Sequence, residues 1–211
     1  MLSPIVNAIP NDEKGPAMAL MHSFYAWGQV ATIALTTLAL FVFGIGSWQV
    51  IVALWAIVPL VNFFMFLAAP FPGVVHESQR LTMRQLLFRP YYLVALLAIL
   101  GGAATELVMN QWSSTFAEKV LELPKLNGDL LGMVGFSALL GVGRLIYGRS
   151  GSRMNMNNVL VGSAAVAVVC YAVVALSPLV GLSLVACAVT GLAASLLWPG
   201  TLVITAEKYP L

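Results

Sequence analysis

Charged side chains are scarce in this chain. Asp, Glu, Lys and Arg together make up 9% of its 211 residues, whereas 60% are hydrophobic; an ordinary soluble domain has about 25% charged residues. A soluble fold must cover its surface with polar groups, and this chain has too few of them. The composition therefore excludes a water-soluble globular domain and predicts a protein embedded in lipid.

The chain also lacks the residue patterns of metal, disulfide and phosphate sites. Its two cysteines, Cys170 and Cys187, lie in apolar stretches without metal-binding or disulfide spacing. No H-E-x-x-H or phosphate-binding glycine motif occurs, so no metal or cofactor is expected. A net charge of +2 without a basic run argues against a nucleic-acid partner. Residues 1–16 hold no long apolar core, which argues against a cleaved signal peptide.

Long apolar runs are what the chain has in abundance. A helix needs about 20 residues to cross about 30 Å of hydrocarbon. Six runs are long enough: 17–43, 47–69, 91–112, 129–148, 158–177 and 180–205. They are too long and too continuously apolar for membrane β-barrel strands, which alternate over about ten residues. The predicted fold class is all-α, a polytopic membrane protein with six transmembrane helices.

The distribution of Lys and Arg predicts the orientation. The second and fourth loops and both terminal segments share one side of the membrane. Eight basic residues are assigned to that side: Lys14, Arg80, Arg84, Arg89, Arg144, Arg149, Arg153 and Lys208. The opposite side has Lys119 and Lys125. Because basic loops favour the cytoplasm, both termini are predicted to be cytoplasmic, in a multi-pass protein of the cell membrane.

Three of the predicted helices carry polar or small side chains at spacings of three and four residues. Such spacing keeps the side chains on one face. The first helix has His22, Tyr25, Gln29, Thr32 and Thr36; the third has Gly102, Ala103, Glu106, Asn110 and Ser113; the sixth has Thr190, Ala194, Trp198, Thr201 and Thr205. We expect the three faces to meet one another or a water-filled cavity. For the threonines and His22, hydrogen bonds that merely join neighbouring helices are the alternative.

Glu106 is the strongest single indication of function. A carboxylate at the centre of a membrane helix costs about 3 kcal/mol, so it needs a reason. Since a carboxylate removed from water prefers its neutral form, Glu106 is the candidate site for a proton or another cation such as sodium. A structural ion pair, or a side chain that reaches the outer interface, is the alternative. At about 1.5 Å per residue from Pro90, Glu106 lies about 24 Å along its helix, in the predicted outer half.

Other polar and aromatic residues complete a predicted substrate- or ion-binding set. Amide groups suit a polar solute, and the flat face of Trp198 suits a sugar ring. The set is Glu106, Asn110, Gln111, Trp198, His22, Tyr25 and Gln29. Trp112 has a similar face, but an anchor at the outer membrane interface is its alternative role.

Prolines and glycines predict local features of the helices. Pro59 and Pro199 should each kink or open a helix, because proline has no backbone N–H. Function is expected at Trp198–Pro199–Gly200 and plain kinking at Pro59. Four glycines are expected to let helices approach closely: Gly132, Gly135, Gly141 and Gly143.

The segment Gly148–Arg149–Ser150–Gly151 matches the G-x-S-G motif of rhomboid intramembrane proteases, which also have six core helices. However, Ser150 falls at a basic cytoplasmic boundary, and both histidines, His22 and His76, precede it in the chain. A serine hydroxyl without a base in reach is not activated. We therefore expect that the protein is not an enzyme.

Two further segments resemble major facilitator superfamily transporters. LTMRQLLFRPYYLVALLAILGGAATE resembles the junction between the two halves of these proteins, where an amphipathic segment ends in a proline and the seventh helix begins. GVGRLIYGRSGSRMN resembles the loop between helices eight and nine, a weakened copy of G-x-x-x-D-R-x-G-R. Gly148 and Arg153 match its first glycine and its arginine, which the resemblance assigns to a gating loop, while Ser152 replaces the acid.

The resemblance also suggests a branch and a position. ALMHSFYAWGQVA is similar to the fifth helix of the fucose-permease-like branch, and LLWPGTLVITAEKYP to a tenth helix. The six spans would then be helices five to ten of twelve, in a fragment or a shortened gene product. Residues 1–70 would end an N-terminal bundle with two spans, 71–90 would form the cytoplasmic central loop, and 91–211 would begin a C-terminal bundle with four spans.

The function implied by the resemblance is secondary active transport of a small solute, a sugar or another small organic molecule. Two helical bundles would rock about a central site and expose it to each side in turn, with proton symport through Glu106. Drug export is an alternative substrate class. A truncated membrane protein that acts only as a scaffold or subunit is the alternative from a different functional class.

Overall fold

The protein is built from helices. The computed structural model describes residues 14–69, 85 and 87–208, with the backbone alone at 14, 152 and 206–208. The regular elements in these ranges are α1 (Lys14–Phe43), a 3₁₀ turn (Ile45–Ser47), α2 (Trp48–Trp55), α3 (Ile57–Ala68), α4 (Pro90–Lys119), α5 (Lys125–Asn127), a π-helix (Gly128–Val134), α6 (Gly135–Ser150), a 3₁₀ turn (Gly151–Arg153), α7 (Met156–Leu176), α8 (Val180–Ala194) and α9 (Leu197–Lys208).

These elements form six segments that are long and apolar enough to cross a membrane. They are Gly15–Phe43, Ile45–Ala68, Pro90–Lys119, Lys125–Ser150, Met156–Leu176 and Val180–Thr205, called the first to sixth spans below. The predicted all-α fold class with six membrane-spanning helices is confirmed. Most of the predicted central loop, including His76, Arg80 and Arg84, lies outside the described residues.

The largest difference from the predicted boundaries is at the end of the third span. Hydrophobicity alone predicts an end at residue 112, yet the helix continues to Lys119. Ser113 and Ser114 are buried in this extension. Their backbone carbonyls face Gly132 and Gly128, where an added Cβ would meet these oxygens at 3.0 and 3.1 Å. Packing on the fourth span therefore extends the helix beyond its apolar part.

The longer third span changes the position of Glu106. This residue lies sixteen positions after Pro90 and thirteen before Lys119. The helix ends seven residues later than predicted, so Glu106 lies only just beyond the helix midpoint, in the half that ends at Lys119. Glu106 therefore lies near the middle of its helix, and an ionisable side chain inside a membrane-spanning segment is costly.

The first and fourth spans pack against each other along their length. The fourth span also packs on the sixth, the sixth on the fifth, and α9 on the third. The second span contacts mainly the first, where Trp55 Nε1 donates a 2.8 Å hydrogen bond to Thr36 Oγ1. The fourth span is therefore the centre of this arrangement.

Glycines permit these close contacts. A Cβ added at Gly141 would meet Trp27 at 3.1 Å, and one at Gly143 would overlap Ser195. With Gly132, three of the four predicted close-packing glycines are confirmed. At Gly135 an added Cβ would make only an ordinary contact of 3.6 Å.

Both predicted proline interruptions are present. The second span breaks at Ala56, between α2 and α3, and the sixth breaks between α8 and α9. Pro59 and Pro199 are each the third residue of the helix that follows the break. Proline is tolerated in the first turn of a helix, because its missing N–H would have no partner there. Each proline therefore begins a new helical segment.

The closest of these contacts gives a test of the packing. A Cβ at Gly191 would overlap the backbone carbonyl of Phe136, whereas one at Gly181, in the same span, would meet nothing within 4 Å. Gly191→Ala should lower stability by about 1–3 kcal/mol through overpacking. Gly181→Ala should leave it unchanged or slightly raised. Thermal unfolding of both variants in the same detergent measures the difference, and equal midpoints would contradict the packing.

Candidate functional site

A buried ion pair joins the third and fourth spans. Arg144 Nη2 donates a 2.7 Å hydrogen bond to Glu106 Oε2. Arg144 is 0% exposed and Glu106 is 5% exposed. Two charges this deeply buried are tolerated only when they are paired and when their remaining hydrogen-bonding groups also find partners.

The break in the sixth span supplies one of these partners. Pro199 has no N–H to donate to the carbonyl of Ser195, four residues earlier in the chain, and this leaves that oxygen free. Arg144 Nε donates a 3.0 Å hydrogen bond to it. The proline that interrupts the helix therefore creates an acceptor for the buried guanidinium.

The first span supplies the third partner of Arg144. Arg144 Nη1 donates a 3.2 Å hydrogen bond to the carbonyl of His22, and the guanidinium carbon lies 5.8 Å from the ring centre of Tyr25. The latter distance is within the range of a cation–π contact. Arg144 thus contacts the first, third and sixth spans from its place on the fourth.

Trp198 closes the cluster from the sixth span. Its Nε1 donates a 3.0 Å hydrogen bond to Glu106 Oε2, the same oxygen that Arg144 contacts. The ring of His22 meets the Trp198 ring edge-on, with 4.7 Å between the centres. A single carboxylate oxygen therefore accepts hydrogen bonds from an arginine and a tryptophan that lie on different spans.

Amide groups lie at the edge of this cluster. Gln29 Nε2 donates a 3.0 Å hydrogen bond to the Tyr25 hydroxyl. Gln29 Oε1 and Asn110 Oδ1 are buried atoms that find no hydrogen-bond partner among the described residues. Buried amide oxygens normally have a partner, so these two are free to accept one from a solute or from water.

The predicted site residues thus separate into groups. Five lie in one connected cluster: Glu106, Trp198, His22, Tyr25 and Gln29. Asn110 is half-buried one helical turn after Glu106, but Gln111 and Trp112 are exposed. Trp112 is 61% exposed and lies outside the cluster.

The predicted gating-loop residues lie apart from this cluster. A Cβ at Gly148 would meet Leu20 Cβ at 3.3 Å, so this glycine packs the fourth span on the first. Arg153 is exposed in the 3₁₀ turn that follows the fourth span. Ser150 of the protease-like motif is exposed at the end of the same span, while His22 lies in the buried cluster.

The threonines of the sixth span do not join neighbouring helices through their donors. Thr190, Thr201 and Thr205 each donate to the backbone carbonyl four residues earlier in the same span. Their hydroxyl protons are therefore satisfied locally.

Sequence reasoning misplaced Arg144. It counted this residue among the cytoplasmic loop charges, but Arg144 lies inside α6, six residues before its end, and is fully buried. The remaining seven basic residues still outnumber the opposite two. A signal was available, since the predicted span 129–148 already contained this arginine, and an ionisable residue inside a span indicates a functional or paired site.

A second polar cluster, around Asp129, was also missed. Asp129 is buried in the π-helix, and its carboxylate contacts Ser114, Lys125 and Thr37. Thr37 Oγ1 donates a 3.0 Å hydrogen bond to Asp129 Oδ2. This cluster joins the first, third and fourth spans, and it shares no residue with the one around Glu106.

The ion pair makes a stability prediction. Glu106→Leu or Arg144→Leu alone should destabilise the protein by about 3–5 kcal/mol, because either change leaves a buried charge unpaired. The double variant should lose much less than the sum of the two. Reversible unfolding in mixed detergent micelles measures all three. The surface pair of Lys119, which is exposed, and Glu118, which is half-buried, provides the control, with an expected change of about 0.5 kcal/mol. Additive losses at Glu106 and Arg144 would contradict the pairing.

Comparison with known proteins gives the family. The sequence model described as Major Facilitator Superfamily matches residues 2–211. No curated protein and no solved structure matches the chain. The matched range covers nearly the whole sequence and agrees with six apolar spans. The chain is a multi-pass membrane protein that belongs to the Major Facilitator Superfamily of membrane transporters.

Proposed function

We propose that this protein is a secondary active transporter of a small polar solute, a sugar or another small organic molecule, that couples transport to a proton at Glu106. Membership of the superfamily gives membrane transport as the general function. The observation that carries the finer proposal is the buried Glu106–Arg144 pair, which lies where four spans meet. Such a pair is costly in a membrane, and transporters use intramembrane charges in ion pathways.

Alternating access requires two bodies that move relative to each other. We assign residues 1–70 to one body and 91–211 to the other, with 71–90 as the connecting loop. The packing supports this division, because the second span contacts mainly the first, whereas the third to sixth spans contact one another. The interface would then be the long contact between the first and fourth spans. Helices five to ten of a twelve-helix fold, in the fucose-permease-like branch, remain the predicted position.

Protonation of Glu106 would reorganise the cluster. A proton on Oε2 removes the negative charge that holds Arg144 and converts the acceptor shared with Trp198 into a donor. Arg144 would keep its bonds to the carbonyls of Ser195 and His22 but lose its counter-charge. Since an unpaired buried charge is strongly unfavourable, the protonated state favours opening to water or arrival of an electron-rich solute group. Proton binding and solute binding are coupled in this way, and sodium is the alternative coupling ion.

The solute would bind beside this pair. Gln29 Oε1 and Asn110 Oδ1 offer unpaired acceptors for hydroxyl groups. Tyr25 and Trp198 offer aromatic faces, and His22 holds the Trp198 ring. Gln111 completes the predicted binding set only if the exposed face of the third span also lines the pathway. Gly148 and Arg153 are proposed to act in movement of the interface rather than in binding.

The proposed setting is the cell membrane, with both termini in the cytoplasm. Basic residues support this orientation: Arg149 and Arg153 are exposed at the end of the fourth span. The third span begins next to Arg89 on the same side. Lys119 and Lys125 lie at the opposite ends of the third and fourth spans.

Transport by reconstituted protein tests the proposal. The purified protein in liposomes that contain a pH-sensitive dye should acidify the lumen when a transported sugar or organic solute from a panel is added. Glu106→Gln should reduce this proton-coupled uptake at least about tenfold, because an amide cannot release a proton. Exchange of labelled for unlabelled solute, which needs no net proton movement, should be affected less.

Glu118→Gln is the matched control, since it makes the same chemical change twelve residues later in the same span, where the side chain is more exposed. It should leave both activities unchanged. If Glu106→Gln retained the full proton-coupled uptake and its pH dependence, Glu106 would not be the coupling site. If no solute in the panel moved with the unmodified protein, the proposed solute class would be wrong.

A further inference from the structure

Hydrogen bonds join the first and fourth spans at two separate points. Arg144 donates to the His22 carbonyl at one point, and Thr37 donates to Asp129 at the other. His22 and Thr37 are fifteen residues apart in the first span, and Asp129 and Arg144 are fifteen apart in the fourth. The two spans are therefore an antiparallel pair. At the helical rise, the two points are about 22 Å apart.

At the Thr37 point, most of the hydrogen bonds to the Asp129 carboxylate come from the third and fourth spans rather than from the first. Asp129 Oδ1 accepts hydrogen bonds from Ser114 and Lys125, and Lys125 Nζ also donates to Ser114 Oγ over 2.9 Å. These residues belong to the third and fourth spans. Among the described partners of the Asp129 carboxylate, Thr37 alone comes from the first span. If the Thr37 bond broke, Asp129 would still have an ammonium group and a hydroxyl as partners.

This asymmetry suits a contact that opens and closes. Breaking the Thr37 bond costs one hydrogen bond and leaves no buried charge unpaired. The side chain of Asp129 is 12% exposed and that of Lys125 is 61% exposed, so water can reach the opened contact. A tilt of about 10° around the Arg144 point would move Thr37 by about 4 Å, which is beyond hydrogen-bond range. Tilting of the two spans about the Arg144 point therefore breaks this contact while the Arg144 contact is kept.

We propose that the Thr37–Asp129 hydrogen bond is a latch that closes the Thr37 end of the interface between the first and fourth spans and opens during each transport cycle. Lys125 and Ser114 keep the carboxylate hydrogen-bonded and in place while the latch is open. The proposal rests on the proposed alternating access for the identity of the two moving bodies. Its test reads opening directly and needs no solute.

Ser137 provides a reporter position. It is fully buried, and it lies one helical turn before Gly141, whose face packs against Trp27 of the first span. Ser137→Cys changes one atom. It places a thiol in the fourth span between Asp129 of the latch and Arg144. The two native cysteines, Cys170 and Cys187, are buried, and the protein without the reporter gives the background. A membrane-impermeant thiol reagent is added to sealed vesicles of either orientation, so that each end is tested separately.

Thr37→Val removes the donor with little change in size, and Thr37→Ser keeps the hydroxyl. The Val variant should be labelled about five- to tenfold faster than the Ser variant from the Thr37 end, because one lost hydrogen bond shifts the population toward the open form by that factor. Labelling from the other end should not rise. Equal labelling rates in the two variants would overturn the latch. Labelling that becomes equally faster from both ends would also overturn it, because it indicates a general loosening of the protein.

A second pair of substitutions tests the opposite effect and covers the case in which Thr37→Val does not fold. Thr37→Cys with Asp129→Cys can be joined by a short bifunctional methanethiosulfonate, which forms a disulfide with each thiol and releases methanesulfinate, because the native side chains are in contact. Joining them should slow labelling of the reporter at least about fivefold, and reductant should restore it. An unchanged rate would overturn the latch. A protein that transports no solute but shows these labelling changes would overturn the proposed transport and leave the latch in place.

Discussion

A guanidinium group with no exposed surface constrains the whole arrangement. Arg144 must keep a carboxylate beside it and acceptors around it, because neither lipid nor a packed protein interior can solvate the charge. Glu106 supplies the charge, and the carbonyls of Ser195 and His22 supply the acceptors. Since these groups come from the third, sixth and first spans, one side chain fixes the relative position of four helices.

Small residues make this arrangement sterically possible. Gly143 precedes Arg144 and allows Ser195 to approach so closely that its carbonyl reaches Nε. Gly102 lies one turn before Glu106, and an added Cβ there would meet the Trp198 backbone nitrogen at 3.0 Å. A larger residue at either position would separate the partners of the ion pair. In lipid, where apolar burial drives helices together only weakly, such close packing is a main source of association.

The sequence predicted the features that depend on local chemistry. The six spans follow from apolar length, the polar faces from helical periodicity, and the interruptions from Pro59 and Pro199. Five of the seven predicted binding residues lie in one cluster. His22, Tyr25 and Gln29 follow one another at about one turn in the first span, and their face meets Trp198 and, through Arg144, Glu106. Which residue pairs with Glu106 could not be predicted, since that depends on helix packing across 38 positions of the chain.

Two errors have the same origin. The third span is longer than predicted, and Arg144 lies inside a span rather than in a loop. Both predictions rest on hydropathy and charge, which carry no information about how the helices pack. Ser113 and Ser114 continue the helix through contact with glycines of the fourth span, which a hydropathy window does not detect. The Asp129 cluster depends equally on tertiary contacts with Thr37 and Ser114. Polar groups inside a membrane protein are placed by their partners, and their partners lie on other helices.

The π-helix at Gly128–Val134 links the two ends of the fourth span. It contains Asp129, and the α-helix that continues from it contains Arg144. A π turn winds more residues into each turn than an α turn does, so it sets the rotational phase of every residue before it relative to every residue after it. If the same residues were wound as regular α-helix instead, Asp129 would rotate by about 100° around the axis relative to Arg144. The carboxylate would then point away from the first span, while the guanidinium stayed in place. The π-helix therefore sets the rotation that lets both charged groups of this span face their partners.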